Sequence, residues 1–180
     1  RTAKQMESAF SGLKGIIAHA VGVGALNEVR DSFNKTIELM ASFKEGSEKA
    51  GTSIENFSAL FYDLRDSAIP VETLTGAAAK LIKTMQEAEK PTSDAADAFR
   101  KMGVAFKDSN GNLRDSSDVF RDIADKFATY EDGANKVALA QALFGKSGAD
   151  LLPVLKDLAE TGRQNAGVTA EQATAADDFQ

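Results

Sequence analysis

Several short stretches of this chain hold residue types that do chemistry. Gly145-Lys146-Ser147 has the ending of a phosphate-binding loop, where backbone amides and a lysine cradle phosphate oxygens. That loop also needs a glycine five residues before Gly145 and a strand leading into it, and the chain has Ala140 there, in a stretch patterned as a helix. The residues therefore predict a helix cap and a tight turn. Asp108-Ser109-Asn110-Gly111-Asn112 resembles the start of a calcium loop. An EF-hand places glycine sixth and a bidentate glutamate twelfth; here Gly111 is fourth and Val119 twelfth. A hairpin turn accounts for the same residues, because Asn-Gly accepts positive φ. Glu131/Asp132 and Asp177/Asp178 offer the paired carboxyl groups of glycoside hydrolysis. Neighbours along a loop or helix surface are, however, the ordinary pattern of solvated charge. His19 is the only histidine, and no acidic residue lies within four positions of it. A metal site needs several donors, and a Ser-His-Asp site would rest on this one imidazole with no nucleophile elbow. No cysteine is present, which excludes disulfides, thiol nucleophiles and thiolate metal sites and fits a reducing compartment. The expectation is no catalytic residue, no cofactor and no metal.

Charge narrows the partners. The net charge is −6, and residues 92–180 carry 10 basic against 15 acidic groups. Such a chain lacks the basic footprint that phosphate-backbone binding requires, so specific nucleic-acid binding is not expected. Hydrophobic residues make up 43%, enough for a packed core in one domain or two small ones. With no Trp and two Tyr, the 11 Phe must supply most of the aromatic burial. Gly15–Leu26 is the most apolar run. It falls short of the ~18 residues of a membrane span and lacks the flanks of a signal peptide. Membrane contact through 15–26 stays open. The start at Arg1, without Met, and the stop at Gln180, inside a freshly capped helix, suit a piece of a longer polypeptide.

The elements that would position these residues are mostly helices. Met6, Phe10, Leu13 and Ile17, then Leu26, Val29, Phe33, Ile37 and Met40, recur at helical spacing. Gly12, Gly15, Gly22 and Gly24, within and after the first series, predict a frayed joint, while Gly46 and Gly51 predict the first junction. Thr52-Ser-Ile-Glu55 reads as a capping box for a helix over about 53–67. Ile69-Pro70 ends that helix, and another follows over about 71–89 until Lys90-Pro91. Thr92 or Ser93 caps a short helix that stops at Gly103. Alternation and the Asn110-Gly111 turn predict a small hairpin near 104–114. Asp115 or Ser116 caps a helix over 117–130, with Asp118, Arg121, Asp122, Asp125 and Lys126 on its wet face. Ala134–Phe144 reads as a short apolar helix. A Leu-rich helix follows, with Pro153 in its first turn if Asp150 is the cap. Beyond a polar linker over 161–168, Thr169-Ala-Glu-Gln172 starts another helix.

The order GVAFKDSNGNLRDSSDVFRDIADKF, then GANKVALAQALFGKSGADLLPVL, resembles the tail tape measure proteins of long-tailed bacteriophages and prophages. Three pieces carry the resemblance: the hairpin Gly103–Arg114 leading into Ser116–Lys126, the Ala/Leu helix Ala134–Phe144 after Gly133, and Leu143–Pro153. Gly51–Glu87 and Gly167–Phe179 fit as well, so the likeness spans about 50–180. It implies a structural virion component that helps set tail tube length, sits in the tail lumen or tip, and is in the host cytoplasm during assembly. The implied partners are tail tube and tail tip or initiator proteins, assembly chaperones, and a few copies of the chain itself. The expected fold is mainly α, a short-helix module with a small β-hairpin preceded by a longer N-terminal helix. Its expected parts are a Gly/Ala-bearing helical segment 1–49, a compact module 50–160, and a linker with a new helix 161–180. Phe106, Leu113, Phe120, Phe127, Leu143, Phe144, Leu151, Leu152 and Leu155 are the expected core, with Phe106 and Leu113 packing the hairpin on Phe120 or Phe127. Asn110, Gly111, Gly145 and Gly148 are the expected turns. A membrane-active helical segment and a cell-wall hydrolase region of a tail protein are the alternatives.

Overall fold

The computed structural model describes residues 23–64, 67 and 69–161. His19, the Asp177/Asp178 pair, the Thr169 capping box, and Gly12, Gly15 and Gly22 of the expected joint lie outside them, while Gly24 of that joint lies within the first helix. Among the described residues the chain forms α1 (Val23–Ala50), α2 (Ile54–Asp63), α3 (Val71–Glu87), α4 (Asp94–Met102), α5 (Ser116–Ala128), α6 (Ala134–Phe144), a 3-10 helix (Lys146–Leu151) and α7 (Leu152–Thr161). The protein is thus mainly helical.

Helix α1 is 28 residues long, or ~42 Å at the helical rise. Arg30, Asp31, Asn34, Lys35 and Glu38 on its first half are exposed, whereas Phe43 and Ala50 near its end are buried. Gly46 does not mark the junction that its residue type suggested; it sits inside α1. A Cβ there would lie 2.5 Å from the ring of Phe57 and 2.9 Å from the Thr75 hydroxyl. Glycine lets α1 press onto α2 and α3, at a cost of ~1 kcal/mol in helix propensity. The break comes at Gly51, where φ is +63.

Pro70 precedes α3, which buries Leu74, Ala78, Leu81 and Met85 and packs against α1, α4, α5 and α6. Ser93 caps α4 by accepting the Ala96 N–H at 3.1 Å, and Gly103 closes it in the left-handed region at φ +66. Asp115 caps α5 through the Ser117 N–H at 2.9 Å. Helix α5 packs mainly on α7, and α6 on the 3-10 helix. Pro153 lies in the first turn of α7, but Asp150 is in the preceding 3-10 helix and does not cap it. The buried residues from Phe43 to Leu158 form one apolar cluster.

The small β-hairpin is not seen: among the described residues no strand forms. A single antiparallel pair, Lys107 with Leu113, closes the turn. The Asp108 N–H donates to the Asn112 carbonyl at 2.8 Å and the Arg114 N–H to the Phe106 carbonyl at 3.0 Å. A ladder cannot extend because Asp115 already caps α5 directly after Arg114. Arg114 also reaches Asp122 on α5 at 2.7 Å, which turns the return arm toward that helix. An isolated two-stranded ribbon has little to hold it.

Candidate functional site

The Gly-Lys-Ser turn hangs from the carbonyl end of α6. The Gly145 N–H donates to the Gln141 carbonyl at 2.8 Å, with φ at +77. Thr84 of α3, fully buried, brings its hydroxyl within 3.0 Å of the Leu143 carbonyl. Gly148 is needed for space: a Cβ there would lie 2.1 Å from the Ala140 carbonyl oxygen. Lys146 and Ser147 are exposed. Phosphate loops lead into a helix N-terminus, whereas Gly145 follows the C-terminus of α6. The turn works as a seat for the 3-10 helix against α6.

In the Asp108–Asn112 turn, one Asp108 oxygen accepts the N–H groups of Asn110 and Asn112 at 2.8 and 2.9 Å. The other accepts from the Asn112 side chain at 3.3 Å. These amides, the Asn112 N–H foremost, hold the Asp108 carboxyl below its ordinary range. The carboxylate is thus engaged by its own turn. Among the described residues no three His, Cys, Asp or Glu side chains gather as a metal site would need. Asp132 pairs with Lys136 at 2.9 Å, which lowers its pKa, and the neighbouring Glu131 points into solvent from the same loop.

Of the residues expected in the core, Phe120, Phe127, Leu143, Phe144, Leu151 and Leu155 are buried, while Phe106, Leu113 and Leu152 are partly buried against the same cluster. The Phe120 and Phe144 rings lie 5.1 Å apart. Phe106 packs on Phe99 of α4 at 4.9 Å, a ring contact not anticipated when Phe120 or Phe127 was expected. Beside it runs an open groove of about 600 Å³ lined by Ala88, Pro91, Ala96, Phe99, Val104 and Phe106.

Sequence reasoning missed a polar seam between the α1–α2 corner and α5. Asp115, besides capping α5, accepts the Thr52 hydroxyl at 2.7 Å and the Asn56 side-chain amide at 3.2 Å. Thr52 is therefore not the cap of α2; Ser53 takes that role, accepting the Asn56 N–H at 3.1 Å. Ser116, fully buried, donates to the Ala50 carbonyl at 2.6 Å. Further along, Arg121 pairs with Asp63 at 2.8 Å, their side chains 11% and 0% exposed. Arg121 is thus not on the wet face of α5. Ser67 continues the seam to Asp157 of α7 at 2.7 Å. The partners lie 58 or more residues apart, so no local pattern reveals them. Among the described residues, no buried side-chain nitrogen or oxygen lacks a partner. Nothing in the seam is left poised for a substrate, and its chemistry is that of a fastening.

No helix among the described residues is long and apolar enough to cross a membrane. The model of a family described as phage-related minor tail protein matches residues 24–145. The probable tape measure protein of Escherichia phage P2 is 26% identical over 161 residues, which cover 88% of this chain and 19% of that protein. The chain thus spans about a fifth of the length of this curated relative. No solved structure matches.

Proposed function

From the premise that this chain belongs to the phage-related minor tail protein family, we propose that it is a packed segment of a tape measure protein, acting by scaffolding and spacing in the virion tail. The observation that carries the reading is the family match over 24–145, which runs from α1 through the polar seam to the end of α6. The similarity to the phage P2 protein points the same way. Physically, a helix converts residue count into distance at ~1.5 Å per residue. Helix α1 does this over its 28 residues, while α2–α7 fold back on one another and gain little length. The segment is a folded bead on a ruler. Its partners in this reading are tail tube and tip or initiator proteins, assembly chaperones, and further copies of the chain. Its place is the tube lumen or tip, after assembly in the host cytoplasm. The 1–49 helical segment, the 50–160 module and the 161–180 linker are its parts.

The test is a deletion of residues 24–145 from the full-length protein, with tail length measured by electron microscopy. Tails should shorten by less than the ~1.5 Å per deleted residue of a continuous helix. Tails of unchanged length would remove the spacing role, and absent tails would leave scaffolding alone.

A further inference from the structure

We propose that Asn110 is a site of spontaneous deamidation, driven by the Gly111 backbone nitrogen, and that the product loosens the turn over 104–114. Asparagine is followed by glycine at this one position in the chain. Asn110 and Gly111 are both exposed, and Gly111 has no side chain to crowd the approach of its nitrogen to the Asn110 side chain. The Asn110 side-chain amide makes no hydrogen bond to the described residues, whereas Asn56 donates to Asp115 and Asn112 to Asp108. Asn34 and Asn135 are also exposed, but each lies in a helix and precedes a lysine, whose side chain crowds the attack.

The chemistry needs only water. The Gly111 nitrogen loses its proton and attacks Cγ of Asn110, forming a C–N bond; the Cγ–Nδ2 bond breaks and ammonia leaves with that proton. Water then opens the cyclic imide. Cleavage at Cγ gives aspartate, and cleavage at the Asn110 main-chain carbonyl gives the isoaspartyl link, with one more methylene in the main chain. Before it can attack, the Gly111 N–H must leave Asp108, whose carbonyl lies 3.1 Å away and whose carboxylate it also faces. The turn is exposed and has no ladder beyond one bridge pair, so it can open locally without unfolding the helices. Either product sets a new carboxylate beside Asp108, and the isoaspartyl form also changes the spacing between Asp108 and Asn112. The Phe106–Arg114 main-chain bond that holds the arm should then weaken.

The full chain is incubated at mildly alkaline pH, digested with trypsin, and its 108–114 peptide followed by mass spectrometry and isoaspartyl methyltransferase labelling. The acid form should accumulate there ahead of every other asparagine-bearing peptide. Asn110→Gln, which keeps an exposed amide, should lose the label while unfolding at the same temperature as the wild type before incubation. Hydrogen exchange at the Arg114 N–H should quicken in the incubated wild type and not in the incubated variant. An intact Asn110 amide, under conditions that convert a free synthetic 108–114 peptide, would overturn the site. Conversion with unchanged Arg114 exchange would overturn the loosening.

Discussion

Helix α2 has two faces that hold the molecule together by different means. Toward α1 it presents Phe57, Phe61 and Tyr62, whose rings surround Phe43 at 6.3, 5.1 and 6.0 Å in edge-on arrangements. Toward α5 its flanks present Thr52, Asn56 and Asp63 to Asp115 and Arg121. The aromatic corner gains from area removed from water and tolerates a small slide of one helix on another. The polar seam gains little net stability, since the desolvation of its charges offsets their attraction. Its bonds are directional, so a slide breaks them. One face supplies stability and the other sets the register of α2 on α5.

That contrast can be broken or sharpened by substitution. Phe57→Ala should cost the most, about 3–5 kcal/mol in denaturant unfolding, because the ring is fully buried and also fills the notch at Gly46. Arg121→Ala follows at about 3 kcal/mol, since it strips the guanidinium from a carboxylate with no exposure. The double variant Asp63→Leu/Arg121→Met should recover to within about 1 kcal/mol of wild type. If the double variant is as unstable as the single one, the seam is a source of stability and the contrast fails. Thr52→Val, which keeps shape and removes the donor to Asp115, should cost about 1 kcal/mol. A loss equal to that of Phe57→Ala would also sink the comparison.

The smallest effect concerns Asp108, outside both faces. Its carboxyl is lowered in the folded chain, so the bonds it makes contribute fully above its ordinary 3.8 and are lost as pH falls through the lowered value. Amide NMR shifts of Asn110 and Asn112 should move together in that acid window, and Asp108→Asn should abolish the movement. Shifts that stay constant there would show that the turn does not depend on this charge.

Much of the fold was legible because its signals are short-range. The ranges expected for α3, α5 and α6, the Ser93 and Asp115 caps and the Gly103 stop each depend on residues within about one helical turn. The resemblance to tape measure proteins rests on the order of such pieces and agrees with the family match. The hairpin does not extend past its turn, because Asn-Gly encodes a turn and says nothing of how far a ladder runs before Asp115 starts a helix.

The seam and the glycine roles were hidden for the opposite reason. In sequence, Gly46 is a poor helix residue and Arg121 a charge on a polar stripe. Only when Phe57 comes within 2.5 Å of the missing Cβ, and Asp63 within 2.8 Å of the guanidinium, do those residues acquire their roles. The chain by itself determined where helices start, stop and turn an apolar face, because backbone geometry and capping are local. The tertiary structure alone decided which glycine is a notch, which threonine leaves its cap for Asp115, and which ion pair is buried. Those outcomes depend on partners brought together through space, by the next helix at Gly46 and by α5 at the seam.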